Sequence, residues 1–160
     1  MNYYDFFKKI NEKGVKYITV GGLAVNLHGV PRLTYDIDLL VEMSEENLKK
    51  LLDILKDWGY KPKYPVDFMD FKDPAKRKDW VINKNMKAFC MVSDKAPVRE
   101  IDIILDAPVS YESARERVVF YDIYDTKIAT ISIDDLIKMK KAVGRKQDKA
   151  DIEHLMRIKK

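Results

Sequence analysis

The chain reads as an α+β protein: a mixed central β-sheet flanked by helices, with C-terminal helices packed on it. Three observations predict this. Two segments rich in β-branched and aromatic residues, VKYITV (15–20) and YDIDLLV (35–41), alternate early with segments of helical spacing. Four further strand-like segments, 81–92, 98–105, 118–124 and 127–131, then follow with little helix between them. Residues 131–160 return to helical spacing, interrupted by Gly144. That order predicts one domain over 1–160, with its helices mainly on one face of the sheet.

Each element has a local cause. Tyr3, Phe6, Phe7 and Ile10 share a helical face, and Gly14 is a natural stop. Gly21-Gly22 ends the first strand as a turn, and 23–28 is a short helix closed by Gly29 and Pro31. Ser44 is an N-cap, Glu45 and Glu46 suit the positive end of the helix dipole, and Leu48, Leu51, Leu52 and Leu55 form one apolar stripe before Gly59. Residues 60–79, rich in proline and charge, read as the least regular part of the chain. Residues 111–117 read as a short helix, 118–124 with 127–131 as a hairpin, and Ser132 opens the terminal helices.

Composition narrows the function classes. Hydrophobic residues are 46% and charged residues 35% of the chain, a globular and not a disordered balance. No apolar run approaches the roughly 18 residues of a membrane span, and Asp5 with its neighbouring lysines argues against a signal peptide. The single cysteine, Cys90, has no internal disulfide partner and reads as a small buried hydrophobe, so a cytoplasmic location is expected. A net charge of +4 permits an anionic partner such as a nucleotide or RNA without demanding one.

The chemistry concentrates in VGGLAVNLHGVPRLTYDIDLLV (20–41). Residues two apart on a strand share a face, so Asp36 and Asp38 point the same way. Two such carboxylates repel when desolvated, and a divalent cation reverses that repulsion. Asp102, between Ile101 and Ile103, is a third acid in a strongly apolar strand; Glu100 on the same face is the alternate. Gly21 and Gly22 permit close approach of the backbone to a phosphate, and Arg32 and Thr34 lie on a loop suited to phosphate contact. Neither a Walker loop nor a dinucleotide fingerprint is present. His28 reads as structural, and the two histidines form no metal or nucleophile motif.

The combination of Gly21-Gly22, Asp36-Ile37-Asp38 and Ile101-Asp102-Ile103 resembles the DNA polymerase beta-like nucleotidyltransferase superfamily. Within it, the chain looks most like small prokaryotic members that include the AbiEii-type toxins of toxin–antitoxin systems. The stretch ISIDDLIKMKKAVGRKQDKADIEHL is similar to that family's lysine-bearing helix followed by an Arg-x-x-Asp-x-x-Asp helix, here Lys140, Arg145, Asp148 and Asp151. Residues 60–98 match no part of the pattern. The resemblance implies a nucleotidyltransferase fold, with Asp36, Asp38 and Asp102 as catalytic ligands of one or two Mg²⁺ ions, Mn²⁺ serving as substitute. It implies transfer of a nucleoside monophosphate from a nucleoside triphosphate to a hydroxyl, with Lys140 and Arg145 at phosphate or acceptor. The acceptor stays open between RNA, a protein side chain and a small molecule, and a cognate antitoxin or other helical protein is an implied partner. Many active members carry Gly-Ser at the turn. Gly22 lacks that hydroxyl, which keeps a second reading: a non-catalytic nucleotide- or partner-binding module of the same fold.

Overall fold

A computed structural model describes residues 2–159. Seven strands form one sheet in the order β3-β4-β5-β2-β1-β7-β6. They are β1 (Tyr17–Val20), β2 (Asp36–Val41), β3 (Lys61–Pro62), β4 (Ala88–Val92), β5 (Glu100–Ile104), β6 (Val119–Ile123) and β7 (Thr126–Thr130). The sheet is mixed: β2 pairs parallel with β5 and β1 with β7, and the other neighbours are antiparallel. The helices are α1 (Tyr3–Glu12), α2 (Gly21–Leu27), α3 (Glu45–Asp57), α4 (Pro74–Lys84), α5 (Tyr111–Ala114), α6 (Ile133–Val143) and α7 (Lys146–Lys159). No helix among the described residues is long and apolar enough to cross a membrane.

The alternation of the central strands splits the interior into two cores. Ile37 and Leu39 of β2, with Ile101 and Ile103 of β5, pack against Phe6, Phe7 and Ile10 of α1 and the leucine stripe of α3. On the opposite side, Ile18 and Val20 of β1 and Leu40 of β2 pack with Ala24 and Val25 of α2, Leu136 and Ile137 of α6 and Leu155 of α7. Helices therefore cover both faces, not mainly one as the element order suggests. The second face is filled because α2 follows β1 with no linker and the terminal pair folds back over it. Leu48, Leu51 and Leu55 are fully buried, each worth about 1.5–3 kcal/mol of transfer free energy.

Two expectations need correction. Residues 81–92 are not one strand: α4 runs through Lys84, Asn85 caps it in the left-handed region (φ 51°), and only Ala88–Val92 is β4. Nor are residues 60–79 shapeless, since they hold β3, a 3₁₀ helix at Phe68–Lys72 and the start of α4. Asp73 caps α4 through the Ala75 amide with Pro74 in its first turn, a start signal readable in sequence. It was masked because Trp80 is the helix's one buried residue, so no apolar stripe marks the helical period.

Candidate active site

The parallel pairing of β2 with β5 makes the site. Its register sets Asp36 beside Glu100 and Asp38 beside Asp102. Four acids thus share one face of two adjacent strands, while the intervening isoleucines and leucine go into the α1/α3 core. Glu100 leaves this group: Lys63 lies 3.0 Å from its carboxylate and the Cys90 thiol donates to the same oxygen at 3.2 Å. Asp36, Asp38 and Asp102 remain, with one carboxylate oxygen of each within 4.8 Å of the others. None of the three forms an ion pair among the described residues.

Electrostatics mark this triad as strained. Burial, and then the charges of Asp36 and Asp102, hold the Asp38 carboxyl well above the ordinary carboxylate range; Lys140 only partly offsets them. Asp102 is raised too, by burial first and then by Asp36 and Glu100, against hydrogen bonds that pull the other way. Asp102 Oδ1 is buried and has no hydrogen-bond partner. An orphaned oxygen beside two like-charged carboxylates is the donor set a hard divalent cation satisfies. The acidic cluster therefore fits a metal ion.

The glycines serve this cluster. Gly21 is at positive φ (65°), and a Cβ there would lie 1.9 Å from Asp38 Oδ2. A Cβ on Gly22 would lie 2.9 Å from Thr34 Oγ1 and 3.3 Å from Arg32 Cζ. The pair is thus not a free turn: it is the first turn of α2, and its missing side chains make room for Asp38 and Thr34. Thr34 Oγ1 donates to Asp36 Oδ1 at 3.3 Å.

A second charge cluster abuts the first. Lys140 of α6 is 5% exposed, and its Nζ sits 3.2 Å from Asp148 and 2.9 Å from Asp151, both of α7. Asp151 also binds Arg32, and Asp148 accepts from the Arg145 Nε at 2.9 Å. Burial alone would raise both carboxyls, yet their cationic partners win, and both lie below the ordinary range. Arg32 and Lys140 are therefore committed to carboxylates. Arg145 is the exposed member, with 73% of its side chain open to solvent.

Two recesses meet at the acids. A cleft of about 630 Å³ is lined by Gly21, Asp38, Met139, Lys140, Arg145 and their neighbours. A recess of about 750 Å³ is lined by Tyr64, Lys84, Met86, Cys90, Glu100 and Asp102 among others. Lys87 and Ala88 border both. Most of the second recess comes from 60–98, the stretch that offered no pattern in sequence. Lys63, which frees the triad from Glu100, carried no sequence signal, because its partner lies on a strand whose placement the sequence does not show. His28 is structural. Its Nε2 donates to the Ile131 carbonyl at 2.7 Å, so in the neutral ring Nδ1 accepts from the Tyr121 hydroxyl at 2.7 Å.

Comparison with known proteins follows this geometry. Residues 4–160 match the family model described as "Nucleotidyltransferase of unknown function (DUF6036)". No curated protein sequence matches the chain. Among solved structures, the lincomycin-bound lincosamide antibiotic adenylyltransferase LnuA aligns with a TM-score of 0.65 at 18% identity, covering 98% of this chain and 95% of that one. TM1012 of Thermotoga maritima, a nucleotidyltransferase by assignment, aligns with a TM-score of 0.55 at 15% identity, covering 97% and 92%. At such identities the likeness establishes the fold.

Proposed function

From the premise that the chain belongs to the DUF6036 nucleotidyltransferase family, we propose that it transfers a nucleoside monophosphate from a nucleoside triphosphate to a hydroxyl acceptor in a Mg²⁺-dependent reaction. The observation that carries this reading is the triad of Asp36, Asp38 and Asp102, crowded within 4.8 Å with no ion-paired cation among the described residues. These three would hold Mg²⁺, with Mn²⁺ as substitute. When bound, the ion supplies charge neutralisation at the phosphates and a more acidic acceptor hydroxyl.

The chain's own residues divide the remaining work. The triphosphate enters the cleft lined by Gly21 and Arg145, where Arg145, though paired with Asp148, is exposed enough to meet phosphate oxygens. Lys140 contributes its field from a fixed position. Gly22, Arg32 and Thr34 shape the loop beside the metal ligands. The acceptor approaches from the recess that contains Asp102. That carboxylate, facing the recess beside the metal position, is placed to take the acceptor's proton. The acceptor oxygen bonds to the α-phosphorus as the bond to the bridging oxygen breaks, and pyrophosphate leaves.

The acceptor class to test first is a small hydroxylated molecule, given the adenylyltransferase fold neighbour and a recess of about 750 Å³. RNA and protein hydroxyls follow. A second reading, a nucleotide- or antitoxin-binding module without catalysis, draws on the commitment of Arg32 and Lys140 to carboxylates. Incubation with Mg²⁺, each labelled nucleoside triphosphate and pools of aminoglycosides, lincosamides, tRNA and protein decides between them. Label transfer that disappears in Asp36→Ala and Asp38→Ala supports transfer. Mg²⁺-nucleotide binding without transfer supports the module.

A further inference from the structure

Gly22 and Thr34 interlock. The volume that a side chain at 22 would fill holds the Thr34 hydroxyl, 2.9 Å from the Cβ position, the Thr34 Cβ at 3.2 Å and the Arg32 guanidinium carbon at 3.3 Å. The loop backbone and the Arg32 side chain cannot move aside cheaply, so the Thr34 hydroxyl would have to turn away from Asp36. The Arg32 amide donates to Asn26 Oδ1 at 3.0 Å, and its guanidinium is held by Asp151, a carboxylate buried against Lys140. The Thr34 carbonyl accepts from the Tyr3 hydroxyl at 3.4 Å. The loop is therefore pinned by α2, α7 and α1 while its hydroxyl reaches Asp36 Oδ1 at 3.3 Å.

We propose that Thr34 is a positioning residue for the metal ligand Asp36, and that Gly22 is the vacancy that admits it. The inference rests on the metal-binding reading of the triad. Thr34 donates its one hydroxyl proton to one oxygen of Asp36 and leaves the other oxygen for a cation. A carboxylate fixed in this way loses less rotamer freedom when it coordinates. Gly22 is thus a requirement of the site's geometry. A serine there would push Thr34 off Asp36, not add a useful hydroxyl.

Four variants of the full chain test this: Thr34→Val, Thr34→Ser, Gly22→Ser and Gly22→Ser with Thr34→Ala. Mn²⁺ affinity is measured by electron paramagnetic resonance without nucleotide, and thermal stability is measured beside it. Thr34→Val is expected to weaken Mn²⁺ binding about 10–100-fold, with Thr34→Ser restoring it. Gly22→Ser is expected to lower both the melting temperature and the Mn²⁺ affinity. The double variant is expected to recover part of the melting temperature, because the hydroxyl at 2.9 Å is gone while the position-34 Cβ at 3.2 Å and the Arg32 carbon at 3.3 Å stay. Mn²⁺ bound as tightly by Thr34→Val as by the parent overturns the positioning role. An unchanged melting temperature in Gly22→Ser overturns the interlock. A parent that binds no Mn²⁺ defeats the metal-binding reading and the positioning role together, while the melting temperatures still decide the interlock. A parent that binds Mn²⁺ but transfers no nucleotide defeats only the catalytic reading.

Discussion

Two groups of inward-facing acids lie next to each other in this protein and behave in opposite ways. Asp148 and Asp151 of α7 are almost fully buried, yet Lys140, Arg32 and Arg145 surround them and both stay readily ionised. Asp36, Asp38 and Asp102 face each other across two strands with no ion-paired cation among the described residues, and Asp38 and Asp102 resist ionisation. The first group is satisfied by the fold. The second is left wanting a positive charge that the described residues do not provide. Compensated acids read as scaffold; uncompensated acids are the ones we propose as the site.

That contrast can be attacked from either side. The largest effect is expected at the triad. Asp38→Ala removes a proposed metal ligand and should cost at least about 10³-fold in label transfer, several kcal/mol of transition-state stabilisation, while circular dichroism stays native. A variant that retains a tenth of parental transfer breaks the comparison.

Next comes the satisfied cluster. Lys140→Met leaves Asp148 and Asp151 short of their shared cation and should destabilise the fold by about 3–5 kcal/mol, read by urea titration. That is comparable with Leu51→Ala in the α3 stripe, at about 2–5 kcal/mol. A Lys140 loss below about 1 kcal/mol would mean the cluster is solvated and not scaffold.

Histidine titration gives a smaller effect. Burial holds the His28 ring below its usual value of 6.5, against the Ile131 carbonyl that raises it. The unfolded chain then takes up a proton that the folded chain refuses. The His28 contribution is present above about pH 6.5 and is lost as pH falls below it. Thermal melts between pH 7.5 and 5 should show a decline that flattens in His28→Gln. Equal slopes in parent and variant would remove His28 from the account.

Arg145→Ala should be the mildest for stability. Its side chain is largely exposed, and its bond to Asp148 is an i,i+3 pair worth a few tenths of a kcal/mol. Its effect belongs in nucleotide affinity. A loss of stability without a loss of affinity would place it with the scaffold instead.

The same contrast explains what could be read from sequence. Asp36, Asp38 and Asp102 stand out in the sequence because acids inside apolar, alternating strands are costly and therefore conspicuous, and the structure brings their carboxylates together. The terminal helices were legible because Gly144, at positive φ (71°), ends α6 as its C-cap. What holds the satisfied cluster together was not legible. Arg32 and Asp151 stand 119 positions apart, and no local pattern announces a pairing set by how α7 folds back. Arg32 thus looked like a phosphate ligand and is held by a carboxylate. Gly21-Gly22 reads as an open turn, and the space its missing side chains leave holds Asp38 and Thr34. Residues 60–98 hid α4 because burial of Trp80 alone leaves no periodic trace.

One measurement addresses the central claim, that the triad is left uncompensated for a cation while its neighbour is complete. It is the melting temperature of Asp38→Asn and of Asp151→Asn, each with and without Mg²⁺, compared with the parent. Asp38→Asn relieves repulsion and should raise the metal-free melting temperature by about 2–4 °C, while abolishing the parent's Mg²⁺-induced rise. Asp151→Asn should lower the melting temperature and keep the Mg²⁺ response. An Asp38→Asn variant that melts below the parent yet keeps the full Mg²⁺ response would contradict the account.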